Sequence, residues 1–158
     1  MAFPTPDFAV ALGTSNYWCM VLLTAVLVGG TVGLHFEALE RLNHAVPTWR
    51  LPPRLRILAL IVSILTLHTV EIWIFAVGIF LTVQWPELGT VGGVGVLKLL
   101  DAVYLSTTTY TTVGYGDLTP HGPVRLVLGS EALTGFVLVT WSASFTYLEM
   151  QRFWRPRD

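Results

Sequence analysis

Residues Thr109 to Asp117 read Thr-Tyr-Thr-Thr-Val-Gly-Tyr-Gly-Asp, an order that no ordinary strand, helix or turn requires. It suits one chemistry, the stripping of water from a cation in transit. A dehydrated cation must find replacement oxygen atoms at similar distance. Backbone carbonyls supply them only if successive C=O groups point to one axis. An extended strand alternates its carbonyls, so some residues must take left-handed dihedrals. Gly114 and Gly116 do so at little steric cost. The carbonyls of Thr112, Val113, Gly114 and Tyr115, with the Thr112 hydroxyl, then form a ladder of ion sites. The Val113 and Tyr115 side chains should point away from the axis and wedge the strand against its surroundings.

Such a ladder belongs in a membrane, and composition agrees. The 158 residues are 53% hydrophobic and 12% charged, about half the charge of a soluble domain. This predicts one compact domain in a lipid bilayer. There is no basic run, so no nucleic-acid partner is expected. Cys19 is the single cysteine, which excludes an intrachain disulfide, and it should pack as a small hydrophobe. No Lys or Arg precedes the first apolar run, unlike a signal peptide.

Three stretches are long enough to span a bilayer: residues 17–38, 57–84 and 124–150. Residues 1–16 read as an irregular external tail. Gly29 and Gly33 form a G-x-x-x-G in the first span that lets another helix approach closely or is simply tolerated. Residues 40–56 read as a polar loop with Arg41, Arg50, Arg54, Arg56 and three prolines. Residues 87–98, with Gly89, Gly92, Gly93 and Gly95, read as a flexible external loop. Asp101 is the expected N-cap of a short helix over 101–111. That helix is too short to span, so it re-enters, and its negative C-terminal end favours a cation. The hydroxyls from Ser106 to Thr112 suit a buried site beside the cation ladder. Of nine Lys and Arg, four lie in the 40–56 loop and three in the 151–158 tail. Positive-inside logic puts that loop and tail in the cytoplasm and the N-terminus outside.

The pattern T-x-x-T-V-G-Y-G-D resembles the filter signature of the potassium channel pore-loop family, bacterial type. The resemblance covers about residues 57–150. It implies an all-α membrane protein with an outer helix over 57–84, a pore helix over 101–111, a filter over 112–116 and an inner helix over 124–150. Residues 1–56 add a tail, an extra transmembrane helix and a cytoplasmic loop, and 151–158 form a cytoplasmic tail. It implies K⁺ as the permeant ion, bound by Thr112, Val113, Gly114 and Tyr115 and supported by Gly116, Asp117, Thr109 and Thr108. One loop supplies a quarter of an ion cage, so the resemblance implies a homotetramer. Chain order suggests that the inner helix lines the cavity, with the outer helix outside it and the extra helix outermost. Gly135 stands near the family's hinge glycine; Gly129 competes, and close packing is its other use. Thr108 stands where many members carry Glu or Val. No helix has arginine at every third position, so sensing of voltage by moving charge is not expected.

The function expected is passive, K⁺-selective conduction in a bacterial inner membrane, without enzymatic activity. The alternatives are a weakly selective cation channel and a non-conducting modulatory subunit. A metal-dependent enzyme has only His35, His68, Glu71 and Glu131 to support it, and the paired Glu-x-x-His motifs of di-iron bundles are missing. His68 and Glu71 share a helix face. A charge at mid-membrane costs about 2.5–3.5 kcal/mol, so His68, Glu71 and Glu131 should form a buried polar cluster. Sensing of pH by His68 and concentration of K⁺ by Glu131 are the functional alternatives.

Overall fold

The computed structural model describes residues 14–154. The expected tail over 1–16 therefore lies outside the described residues except at its end, and so do residues 155–158 of the C-terminal tail. Among the described residues, three helices are long and apolar enough to cross a membrane.

Helix α1 runs over Ser15–Ala45, past its expected end at residue 38. Its extension is written in Glu37–Arg41 and Glu40–His44, i,i+4 pairs closed at 2.9 and 3.0 Å that support an exposed helical turn. A 3₁₀ turn over Val46–Thr48 containing Pro47 ends it. The expected 40–56 loop thus shrinks to a tight corner. Helix α2 spans Pro53–Thr82 and starts before residue 57, because proline at the first helical position fits the helix and needs no N–H partner. Arg56 braces the corner, donating to the carbonyls of Trp49 at 2.7 Å and Leu51 at 3.3 Å.

The stretch expected to be a flexible loop holds strand β1, Thr90–Gly92, which pairs antiparallel with β2, Thr119–His121, Val91 facing Pro120. The Val124 N–H donates to the Leu88 carbonyl at 2.9 Å just outside this ribbon. Between the strands lies the short helix α3, Leu99–Tyr110. Asp101 is not its N-cap. Lys98 holds that position, and Asp101 sits one turn in, accepting the Lys98 N–H at 2.9 Å. Helix α4 runs over Arg125–Trp154.

The main core joins Met20 of α1, Phe75 and Ile79 of α2, Ala102, Leu105 and Tyr110 of α3, and Val124, Val127 and Leu128 at the start of α4. A smaller one, Leu39, Val46, Leu60 and Ile64, closes the other end. The first helix does not rest on α2 alone. It packs directly on α4 as well as on α2, with His35 and Phe36 against Trp141. No heavy atom approaches the space a side chain would take at Gly29 or Gly33. The close approach between α1 and α2 lies instead at Gly78, where Leu27 fills the space a Cβ would need. Cys19 is exposed on α1 rather than packed.

Candidate functional site

Helix α3 delivers the chain to the 111–117 segment. The hydroxyls of Thr107 and Thr111 donate to carbonyls one turn back, at 2.7 Å each, so these two are satisfied by local backbone. Thr109 and Thr108 support the segment through their main-chain carbonyls. The Thr112 N–H donates to the Thr109 carbonyl at 2.9 Å, and the Gly114 N–H to the Thr108 carbonyl at 3.0 Å. The Thr108 hydroxyl turns inward to Leu105.

The backbone then alternates in hand. Thr112, Gly114 and Gly116 have φ of 59°, 52° and 80°, while Val113 and Tyr115 stay outside that region. The two glycines behave as the sequence predicts. Thr112 was not foreseen, since a β-branched residue rarely takes a left-handed φ. Its strain marks the entrance of the segment as held by its surroundings.

Thr111 through Asp117 are all exposed within the chain. Val113 and Tyr115, expected to wedge the strand, are 54% and 72% exposed. The one wedge formed is a stack of Tyr115 on Tyr104, rings near parallel at 6.4 Å. Tyr104 also donates to Asp117 Oδ2 at 2.9 Å. That hydrogen bond holds the Tyr104 phenol above its ordinary range, because the carboxylate favours the protonated form. Sequence reasoning missed Tyr104, although its helical position two turns before Asp117's loop was the available signal. Behind the segment, Gly93 lies so close to the Asp117 carbonyl that a Cβ would sit 2.0 Å from it.

Gly135, the candidate hinge, is closely packed. Helix α4 continues through it, and a Cβ there would sit 2.2 Å from the Tyr110 carbonyl. Its small size admits the end of α3. Gly129, by contrast, has nothing nearby.

The expected cluster of His68, Glu71 and Glu131 resolves into two. Glu71 is fully buried and takes His35 Nδ1 at 2.8 Å, His68 Nδ1 at 2.9 Å and the Tyr110 hydroxyl at 2.5 Å. His68 Nδ1 also lies 3.0 Å from the Tyr110 oxygen, and Ser142 Oγ lies 3.4 Å from His35 Nε2. Four helices meet on this one carboxylate network. Glu131 is separate: fully buried, it faces Ser106 of α3, which also lies 2.9 Å from the Ile72 carbonyl. A fully buried Glu131 does not line an open surface of the chain. His35 and Tyr110 were missed as members of the Glu71 group because their pairing depends on how α1 and α3 pack, which no spacing within one segment records.

Residues 59–151 match the family model described as an ion channel. The chain is also 34% identical over 67 residues to Protein LctB of Geobacillus stearothermophilus, covering 42% of this chain and 50% of that protein. It is 49% identical over 43 residues to Protein LctB of Bacillus caldotenax, covering 27% and 32%. It thus spans half or less of the curated relatives it matches. No solved structure matches it.

Proposed function

The chain belongs to the ion channel family, an integral membrane protein with three spanning helices, and on that premise we propose that it is a K⁺-selective channel built from four copies around one axis. The observation that carries this reading is the alternation of hand at Thr112, Gly114 and Gly116. Alternate left- and right-handed dihedrals turn successive peptide planes so that their carbonyls share one side. That arrangement supplies oxygens from Thr112, Val113, Gly114 and Tyr115 to a dehydrated ion. K⁺ is driven through by its own gradient, and no catalytic step is involved.

The assembly is supported by what one chain leaves uncovered. Val113 and Tyr115 in the segment, and Leu133, Phe136 and Val137 on α4, are about half exposed or more. An apolar face beside a strand that must be closed on all sides is what neighbouring copies cover. The bias of Lys and Arg toward the corner after α1 and the end of α4 supports a cytoplasmic location for both, with the filter segment near the outer face of a bacterial inner membrane.

Purified protein in planar bilayers, with K⁺ on one side and Na⁺ on the other, tests the reading. A reversal potential close to that of a K⁺ electrode is expected. Equal permeability to the two ions makes the protein a weakly selective cation channel, and absence of current from the protein alone makes it a partner of some other pore.

A further inference from the structure

Among the described residues, His35, His68 and Glu71 are the one place where three metal-ligating side chains converge, their ligand atoms all within 4.8 Å of one another. We propose that this cluster is a binding site for a divalent transition-metal ion of the zinc class. Two imidazole nitrogens and a carboxylate oxygen form a donor set that Zn²⁺ accepts readily. Both rings already aim the same atom, Nδ1, at Glu71, from 2.8 and 2.9 Å. Ligand atoms around a tetrahedral ion with bonds of about 2.0 Å lie about 3.3 Å apart. To reach that value the two nitrogen–oxygen separations, which involve different oxygens of the carboxylate, widen by only about half an ångström. Tyr110, 2.5 Å from Glu71 Oε2, stands at the remaining corner, as a ligand or as the partner of a bound water.

The outer contacts fit as well. With no ion present, each Nδ1–H donates to the carboxylate. The ion takes the Nδ1 lone pairs instead, and each ring carries its proton on Nε2. His35 Nε2–H then faces Ser142 Oγ of α4, at 3.4 Å, an outer-shell acceptor of the kind that fixes a ligating imidazole. The tautomer change requires no net loss of protons. The buried charge changes from one negative to one positive, spread over the ion and its ligands. His68 is 12% exposed, which leaves an approach from the chain surface. A further histidine–carboxylate pair, His44 with Glu40, is exposed and offers two ligands only.

An ion here ties α1 and α2 to Tyr110, the last residue of α3 before the 111–117 segment. Its occupancy therefore acts on K⁺ flux, a consequence that rests on the channel reading; the binding itself does not.

Full-length protein, stripped with chelator, is titrated with Co²⁺, a zinc surrogate whose four-coordinate complexes absorb strongly in visible light. One such band per chain is expected, displaced by Zn²⁺, retained in His44→Ala and lost in His68→Gln. Glutamine keeps a hydrogen bond to Glu71 while removing the imidazole; should its melting curve show that it does not fold, His35→Gln replaces it. Absence of the band from the native protein, or its persistence at full strength in a folded variant, overturns the site. In liposomes, Zn²⁺ that changes native K⁺ flux severalfold and leaves that of His68→Gln unchanged supports the coupling. A cobalt band in a protein that passes no K⁺ upholds the site and sinks the channel reading instead.

Discussion

Two regions meet at Tyr110, and they are finished in opposite ways. The Glu71 network is made of side chains, is buried, and closes within one chain: a carboxylate with three donors from three helices. The 111–117 segment is made of backbone and is exposed throughout. Burying a carboxylate in an apolar setting is unfavourable unless it is paired and hydrogen-bonded, so the network must be satisfied as the chain folds. On the proposed channel reading, the segment's carbonyls are instead satisfied by an ion and closed in by neighbouring copies. The contrast implies that the network determines stability while the segment determines selectivity, and that changes in one should leave the other's property alone.

The largest test is Glu71→Ala. It leaves two imidazoles and a phenol without their carboxylate, and each buried polar group left unsatisfied costs about 1–3 kcal/mol. The melting temperature of the purified protein should fall steeply, while any channels that still assemble keep their K⁺ over Na⁺ preference. A variant that melts normally but conducts Na⁺ would reverse the assignment of roles.

Gly135→Ala strikes the seam between the regions. Its Cβ would overlap the Tyr110 carbonyl at 2.2 Å, and overpacking of this kind costs about 1–3 kcal/mol. Reduced thermal stability together with altered conductance is expected. If Gly135→Ala keeps native stability and only changes open probability, the residue acts as a hinge after all.

Gly114→Ala should do the converse of Glu71→Ala. No atom lies near the added Cβ, so the penalty is the left-handed φ alone, about 1–2 kcal/mol for a non-glycine residue. Melting shifts modestly, but the carbonyl ladder is lost and the reversal potential should move away from the K⁺ value. Retained selectivity would remove the segment from the ion path.

The smallest effect belongs to Tyr104→Phe, which deletes the exposed bond to Asp117. Melting should not change. The folded-state phenol is held above its free value near 10, so the contact is whole below that pH and fades as pH rises through the raised value. Native K⁺ flux should therefore decline only at strongly alkaline pH, and the variant should lack that step.

The left-handed glycines of the 111–117 segment, the three long apolar helices and the short helix between the second and third were legible because each is written in contiguous sequence: a motif, an apolar run, a run too short to cross. The ends of α1 and α2 were not, because Glu37–Arg41 pairing and the Pro53 start outweigh the polarity that marked residues 40–56 as loop. The ribbon was hidden because β1 has only Thr90, Val91 and Gly92 to announce it, and its partner contains Pro120. The Glu71 network was half visible: His68 and Glu71 share a helix face, but His35 and Tyr110 arrive from other segments. Thr112's left-handed φ was hidden too, because residue type argues against it and only the two carbonyls of α3 that fix the following turn enforce it.

The ribbon has a topological consequence. The Val124–Leu88 hydrogen bond and the β1–β2 pairing hold together the two ends of everything between residues 88 and 124. Helix α3 and the 111–117 segment thus form a loop with tied ends, hung between α2 and α4 like a cassette in a frame. Lengthening a flexible loop costs little more in closure entropy, so residues added at the exposed turn around Gly95 need not alter the frame.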